Sequence, residues 1–366
     1  MTDRPTLKPW IEAIHAYVPG KSKAADGRPL AKLSANENPL GCSPDVLKAL
    51  SEGHQPNFYP DPDATALREA IGTAHGIDAA HIVCGSGSAE LLQCAVQAFA
   101  GPGDEVLFSR FSFSLYPLLV HMVGAEVVMA DTVDYAPDVD NILAAVTERT
   151  RVVLLDNPNN PIGAWLPRGD VERLHAGLPG NVLLVVDQAY AEFLEDDEDD
   201  GGLELAARHD NVLVTRTFSK AFGIAGERVG WATGALHLVD ALNRLRGAFN
   251  VTESGQKAAL AALGDMEFLR RTRDTNNASM KRFIEHLTAL GNHGVRCLPS
   301  KANFVLVVFD GKLAATTALE AIANAGYAVR HLPGQGLPEA LRITIGTDQQ
   351  MDDIAAVLRR LCEGVA

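Results

Sequence analysis

The segment TRTFSKAFG places two hydroxyl side chains, Thr217 and Ser219, shortly before Lys220. A lysine that is partly removed from water near other cations has a lowered pKa, and its neutral amine attacks aldehydes to form a Schiff base. Arg228 follows closely enough to supply such a cation. Hydroxyl groups beside cations also suit a phosphate group. Because a Ser-Lys pair alone is more often a surface feature, this interpretation depends on the other motifs.

Two further motifs follow apolar runs of the chain. VVDQAY ends such a run with Asp187 and continues to Tyr190. An Asp in this place is most often a helix cap or turn residue, but a buried carboxylate beside a pyridine nitrogen keeps that nitrogen protonated and strengthens the ring as an electron sink. Tyr190 could then donate to the 3'-oxygen of the ring. The turn NPNNPIG could bring the amide of Asn160 to the same oxygen.

The loop GSGSAE, which contains Ser88, Ala89 and Glu90, lies between the apolar run HIVC and a helical pattern. Backbone N–H groups at such a helix start bind phosphate. The motif is weak alone, because many strand-to-helix turns need glycine for backbone reasons. In the run FSFSLY, the ring of Phe113 could stack on a flat heterocycle, although core packing explains each ring equally well.

These motifs follow short Val/Ile/Leu-rich runs that alternate with longer helical patterns. Such alternation is typical of βα units around a mostly parallel sheet, in which ligands lie at the carboxyl ends of the strands. The chain is therefore predicted to be an α/β protein. The predicted strands are His81–Cys84, Glu105–Phe108, Glu126–Met129, Val152–Leu155, Val182–Val186, Asn211–Thr215 and Val229–Ala232.

The rest of the chain predicts a second, smaller α+β lobe. Its predicted elements are a long helix (Phe268–Leu290), a strand (Phe304–Val308), a helix (Ala314–Ala325), a strand (Leu341–Ile345) and a last helix with Thr347 as N-cap. We predict a large domain over 51–265 and a small domain over 266–366. Residues 1–50, rich in Pro, Gly and Asn, are expected to join the small domain and cover the site.

Composition excludes several classes of function. The formal net charge of −14 opposes binding to nucleic acid or to an anionic membrane. No apolar run reaches the ~20 residues of a membrane helix, and the first residues lack the apolar stretch of a signal peptide, so we expect a soluble cytoplasmic protein. Five cysteines without zinc-type spacing indicate free thiols and no metal site.

Taken in this order, the motifs resemble the fold-type-I aminotransferases that use pyridoxal 5'-phosphate, and most closely the histidinol-phosphate aminotransferase family of class II. The resemblance covers nearly the whole chain, from YVPG and SANENPLG through YPD to LRITIGT. It implies a large domain with a central, mostly parallel sheet flanked by helices, plus a smaller α+β domain. It also implies a homodimer with shared active sites.

The resemblance assigns roles to individual residues. Lys220 matches the lysine that holds the cofactor as a Schiff base and moves the substrate Cα proton, with Asp187 and Tyr190 as the other catalytic residues. Phe113 matches the ring stacked on the cofactor, and Tyr59 a tyrosine that reaches the phosphate from the neighbouring subunit. The residues implied to bind the cofactor are Tyr59, Ser88, Ala89, Glu90, Phe113, Asn160, Asp187, Tyr190, Thr217, Ser219, Lys220 and Arg228.

At the substrate, Arg342 matches an arginine that grips a carboxylate or phosphate by a bidentate fork. Arg330 and Tyr17 match further contacts to the anionic end, and Asn36 is also implied to bind substrate. An exposed arginine on a strand remains the plain alternative for Arg330.

The activity that the resemblance implies is transamination of L-histidinol phosphate with 2-oxoglutarate, giving imidazole acetol phosphate and L-glutamate, a step of histidine biosynthesis. Three alternatives stay open: an aminotransferase for phenylalanine or tyrosine, including dual specificity; a lyase similar to threonine-phosphate decarboxylase; and a non-catalytic binding protein. Phe113, Gln188 and Ile162 stand where tyrosine, glutamate and threonine are more usual. None of these changes removes a group that the chemistry requires, and Phe113 could make the pocket friendlier to aromatic side chains.

Overall fold

The computed structural model describes residues 5–12, 14, 23, 27–53 and 55–364. The strands are β1 (Ala31–Lys32), β2 (Ile82–Gly85), β3 (Glu105–Ser109), β4 (Glu126–Ala130), β5 (Thr150–Asp156), β6 (Leu183–Asp187), β7 (Val212–Thr217), β8 (Gly230–Gly234), β9 (Val295–Cys297), β10 (Phe304–Phe309), β11 (Tyr327–Ala328), β12 (Arg330–Leu332) and β13 (Leu337–Thr344). The helices are α1 (Pro9–Glu12), α2 (Pro44–Ser51), α3 (Thr65–His75), α4 (Ser88–Phe99), α5 (Tyr116–Val123), α6 (Val139–Ala144), α7 (Arg168–Gly177), α8 (Gly202–Arg208), α9 (Leu236–Leu245), α10 (Glu253–Gly264), α11 (Met266–Thr288), α12 (Ala315–Asn324) and α13 (Asp348–Cys362).

A large mixed sheet forms the centre of the first lobe. Its strand order is β2-β8-β7-β6-β5-β3-β4, and all neighbours are parallel except those of β8, which runs against both β2 and β7. Apart from polar residues at their ends, the central strands β5 and β6 are apolar, because helices cover both faces and leave no solvent side for polar residues. The predicted α/β lobe with a mostly parallel sheet is confirmed.

The functional motifs meet at one edge of this sheet. Strands β2, β5, β6 and β7 run in the same direction, so the chain leaves each of them at the same edge. The loop before α4, the Asn157–Gly163 turn, the Asp187 segment and the Lys220 segment all begin there. The carboxyl edge of such a sheet is where α/β proteins place their ligands.

The second lobe contains an antiparallel sheet of order β12-β13-β10-β9 and the short parallel pair β1-β11. Helices α11, α12 and α13 bury their apolar faces against these strands. Thr347 caps α13 through a capping box with Gln350. Pairing of β1 with β11 attaches the segment before α2 to this lobe. The division into domains at residue 265 stays a prediction, although α10 ends at Gly264 and α11 begins at Met266.

Candidate active site

A cavity of about 730 Å³ lies at the carboxyl edge of the large sheet, where the small lobe covers it. Both lobes supply its walls. Its lining includes Lys32, Ser34, Asn36, Glu37, Ser88, Ala89, Phe113, Leu115, Asp156, Asn160, Asp187, Tyr190, Thr217, Ser219, Lys220, Arg228, Arg330, Gln335 and Arg342.

Lys220 follows β7 and points its amine into the cavity. Its Nζ donates to the carbonyl of Ala35 at 3.1 Å and lies 5.8 Å from the centre of the Tyr190 ring. Burial of the ammonium group, helped by the positive charge of Arg342, lowers the pKa of Lys220 to about 8. The amine is therefore neutral far more often near pH 7 than that of an ordinary lysine, as a nucleophile for a carbonyl carbon must be.

Asp187 is the last residue of β6 and is almost completely buried. Thr215 Oγ1 donates to Oδ1 at 3.0 Å, and the hydroxyl of Tyr116 donates to Oδ2 at 3.3 Å. Burial raises the pKa of Asp187 to about 6, although the hydrogen bond from Thr215 opposes this shift. A carboxylate with this environment favours a cationic N–H partner, since a buried charge needs a counter-charge.

Asn160, Asn36 and Tyr190 form a buried polar group between the lobes. The hydroxyl of Tyr190 accepts from Asn36 Nδ2 at 2.8 Å and from Asn160 Nδ2 at 3.2 Å. Thr344 Oγ1, on strand β13, donates to Asn36 Oδ1 at 3.0 Å. Each side chain is therefore fixed by a neighbour, which holds the group ready for a ligand without reorganisation.

The start of α4 and the guanidinium of Arg228 form a cradle for an anion. Arg228 Nη1 donates to Ser219 Oγ at 3.2 Å, and Thr217 Oγ1 donates to the same oxygen at 2.9 Å. A Cβ at Gly87 would lie 2.5 Å from Arg228 Nη2, so only glycine lets the guanidinium approach the loop before Ser88. Arg228 itself has φ 55°, an unfavourable backbone conformation for a side chain of this size.

Two arginines of the small lobe form the opposite cationic part of the cavity. Arg330 on β12 and Arg342 on β13 are direct cross-strand partners. Arg342 Nη1 donates to Asn160 Oδ1 at 2.6 Å, and its Nη2 donates to the carbonyl of Ser34 at 2.8 Å. Like charges directly opposite each other destabilise a sheet unless an anion lies between them.

Comparison with known proteins agrees with this geometry. Residues 28–358 match the family Aminotransferase class I and II. The chain belongs to the class I and II aminotransferases. It is 64% identical to a histidinol-phosphate aminotransferase of Erythrobacter litoralis, over 98% of both chains. It is 52% identical to a protein of the same name from Sphingopyxis alaskensis, over 100% of both chains.

A solved structure extends the comparison to the fold of this aminotransferase. The histidinol-phosphate aminotransferase of Sinorhizobium meliloti, in complex with pyridoxal-5'-phosphate, matches with a TM-score of 0.88 at 29% identity, over 100% of this chain and 99% of the other. The fold is therefore that of the fold-type-I transferases, and the predicted family and enzyme class are confirmed. The family and this relative imply pyridoxal phosphate as cofactor.

Most of the residues predicted for the site of this aminotransferase line the cavity, but two do not. The carboxylate of Glu90 instead accepts from Ser86 N at 2.6 Å, Asn250 Nδ2 at 2.6 Å and Gly247 N at 3.1 Å, so that it braces the loop before α4 from outside. Tyr59 is 80% exposed and stacks on Phe249 at the surface of the chain. A third prediction, Tyr17, lies outside the described residues.

The sequence reasoning missed Asp156, which lines the cavity and is almost completely buried. It also missed Lys32, which contributes to the wall and forms an ion pair with Glu37 at 2.7 Å. A signal for Asp156 was present, because it stands directly before the NPNNPIG turn at the end of a strand, as Asp187 stands at the end of its own. Lys32 offered no comparable signal.

The described part of the chain contains no group of His, Cys, Asp and Glu side chains arranged to hold a metal ion. Within the same residues, none of the helices has the length and apolar character needed to cross a membrane.

Proposed function

We propose that this aminotransferase converts L-histidinol phosphate and 2-oxoglutarate to imidazole acetol phosphate and L-glutamate, with pyridoxal phosphate as cofactor, in histidine biosynthesis. The main structural support for this substrate is the pair Arg330 and Arg342, which are cross-strand partners and both line the cavity. Two guanidinium groups suit a phosphate dianion better than a single carboxylate. The names of the relatives at 64% and 52% identity support the same substrate.

The cavity fits the cofactor on the side of the large lobe. Arg228, Thr217, Ser219 and the N–H groups at the start of α4, including Ser88 and Ala89, would hold its phosphate. Asp187 would pair with the pyridine nitrogen, and Asn160 and Tyr190 would bond the 3'-oxygen. Phe113, which also lines the cavity, would cover a face of the ring.

Bound pyridoxal phosphate would supply an electrophilic carbonyl carbon and a ring that accepts electrons. The amine of Lys220 would hold the cofactor covalently and, once the amine of the donor has displaced it, would take the proton from Cα of that donor. In the cofactor-free chain the pKa of this amine is already lowered to about 8, in the direction that suits a base near neutral pH. Arg342, fixed by Asn160 and Ser34, would orient the anionic end of the donor, so that its Cα–H bond faces Lys220.

The proposal includes a homodimer in the cytoplasm. Phe58, Tyr59 and Phe249 place large aromatic groups on the surface of the single chain, with Tyr59 the most exposed at 80%. Such apolar exposure is typical of a surface that another protein covers. We infer that the covering protein is a second copy, whose cavity would receive Tyr59 at its phosphate cradle.

Single-turnover absorbance spectroscopy tests the substrate. The protein loaded with pyridoxal phosphate is mixed, without a keto acid, with L-histidinol phosphate, L-histidinol, L-phenylalanine or O-phospho-L-threonine. We expect fast conversion to the pyridoxamine form only with histidinol phosphate. Conversion with histidinol should be slow, because histidinol has no phosphate dianion for Arg330 and Arg342 to bind.

Other outcomes would contradict the proposal in distinct ways. Equal rates for phenylalanine and histidinol phosphate would favour dual specificity, for which the apolar walls at Phe113 and Leu115 offer room. Release of carbon dioxide from phosphothreonine, without formation of the pyridoxamine form, would make the chain a lyase. The wild-type protein should show a cofactor absorbance band that is lost in Lys220→Ala. If no such band is found, the cofactor assignment is overturned.

A further inference from the structure

A second buried carboxylate, Asp156, stands beside Asp187 at the edge of the large sheet. The two are the last residues of β5 and β6 and are paired in register, each only 3% exposed. Side chains of register partners on parallel strands lie on the same face, and both residues line the cavity. Nothing in the function proposed above uses Asp156.

Asp156 is tied to the turn that carries Asn160. Its Oδ2 accepts from the backbone N–H of Asn160 at 2.8 Å, and its Oδ1 accepts from Asn159 Nδ2 at 3.1 Å. Both carboxylate oxygens are therefore used, and each holds a different residue of the same turn. An ionised or strongly polarised acceptor makes such bonds stronger than a neutral amide would.

Asn160 joins the two lobes at the wall of the cavity. Its Oδ1 accepts from Arg342 of the small lobe, and its Nδ2 donates to the hydroxyl of Tyr190. A shift of the Asn160 backbone would move both bonds together. Even a displacement of roughly 1 Å at a reacting centre is enough to slow an enzyme substantially.

We propose that Asp156 is a positioning residue for the transamination, which holds Asn160 so that its amide serves both Arg342 and Tyr190. This inference rests on the proposed function. Burial raises the pKa of Asp156 to about 7, against the opposing hydrogen bond from Asn160. The titratable groups coupled to it are Asp187, Tyr116 and Tyr190.

The test is a double-mutant cycle of Asp156→Asn and Asn160→Ala. Asp156→Asn replaces one of the two carboxylate oxygens with an NH2 donor, so it can keep only one of the two contacts to Asn160 and Asn159. We expect Asp156→Asn to raise the KM of the amino donor by roughly tenfold, the scale of one lost buried hydrogen bond. In the Asn160→Ala background the same change should have less than about a twofold effect. Independent effects that multiply would overturn the proposal.

A spectroscopic titration separates positioning from simple electrostatics and needs no substrate. A donor bond to the 3'-oxygen favours its ionised form, so loss of the Asn160 contact should raise the pH midpoint of the cofactor absorbance change. Loss of a nearby negative charge alone would lower the pH midpoint, because that charge would no longer stabilise the protonated form of the bound cofactor. A rise in Asp156→Asn that matches Asn160→Ala supports positioning, and a fall overturns it.

Asp200→Asn is the matched control. Asp200 is a buried carboxylate that accepts from Asn157 in the same turn at 3.0 Å, but it has no hydrogen bond to Asn160 and does not line the cavity. Asp200→Asn should leave the pH midpoint of the cofactor absorbance change where it is in the wild-type protein. Asp156→Ser, which keeps one oxygen acceptor, is a second variant should the first not fold. Failure of the wild-type protein to use histidinol phosphate would reject the proposed function, while the titration would still decide the role of Asp156.

Discussion

The pKa of Lys220 gives a quantitative prediction about capture of the cofactor. Burial and Arg342 lower this pKa from 10.5 to about 8. At pH 7 the neutral fraction of the amine is then about 9%, against about 0.03% for an ordinary lysine, a ratio of about 300. Because only the neutral amine attacks the aldehyde, the protein should capture pyridoxal phosphate near neutral pH much faster than a free amine does.

The assay is stopped-flow absorbance of pyridoxal phosphate with the cofactor-free protein, divided at each pH by the rate with N-acetyl-lysine. This division removes the titration of the aldehyde itself. Below pH 8 the neutral fractions of both amines rise by the same factor with pH, so the ratio of the two rates should be constant. Between pH 8 and pH 10 Lys220 is already mostly neutral, while the neutral fraction of N-acetyl-lysine still rises. The ratio of the two rates should therefore fall about tenfold per pH unit.

Arg342→Gln removes a positive neighbour, so it should raise the pKa of Lys220 and slow capture at pH 7. Arg110→Gln removes an exposed arginine that is paired with Asp131 outside the cavity, and it should change nothing. A ratio that stays flat to pH 10 would show that Lys220 titrates like an ordinary lysine, and the reasoning from burial would be wrong.

Three further predictions concern substrate, loop and dimer. Arg342→Lys should raise the KM for histidinol phosphate by roughly 30-fold or more in steady-state assays, because a point charge cannot replace a bidentate fork held by Asn160; a change below threefold would contradict the role. Glu90→Gln should weaken cofactor affinity by roughly tenfold in equilibrium dialysis, since an amide cannot accept from three N–H groups, and an unchanged affinity would mean that the loop before α4 does not need this brace. Mixing Lys220→Ala with Tyr59→Ala subunits should restore about a quarter of wild-type activity, because hybrid dimers have one intact shared site; no restoration would argue against a Tyr59 contribution across subunits.

The sequence predicted elements of both lobes closely because their signals are local. The predicted strand Val182–Val186 is β6, Leu183–Asp187, and the predicted helix Phe268–Leu290 is α11, Met266–Thr288. Long apolar runs and clear caps define such elements. The small differences fall at element ends, where polar residues such as Asp187 continue a strand because the neighbouring strand still pairs with them.

The residues that were misplaced or missed depend on tertiary contacts. Glu90 follows the Gly-rich loop in sequence, yet its carboxylate turns to Gly247 and Asn250, which lie far away along the chain. The position of Asp156 at the end of a strand is visible in the sequence, but its pairing in register with Asp187 is a tertiary feature. Periodicity shows which face of an element is buried, but it does not show which polar groups of different elements meet.

The placement of charge explains how an acidic chain could bind the two phosphate groups of the proposed reaction. The formal net charge is −14, yet Arg228 lies in the large lobe and Arg330 and Arg342 lie in the small lobe, on opposite parts of one cavity. Long-range repulsion from the surface is screened within about 8 Å at physiological ionic strength, whereas contacts inside a cavity are screened much less. The bond from Arg342 to Asn160 crosses between the lobes. An anion bound by Arg342 would thereby be linked to the turn that faces the proposed cofactor site, so that substrate recognition and the position of the reacting groups would depend on the same contact.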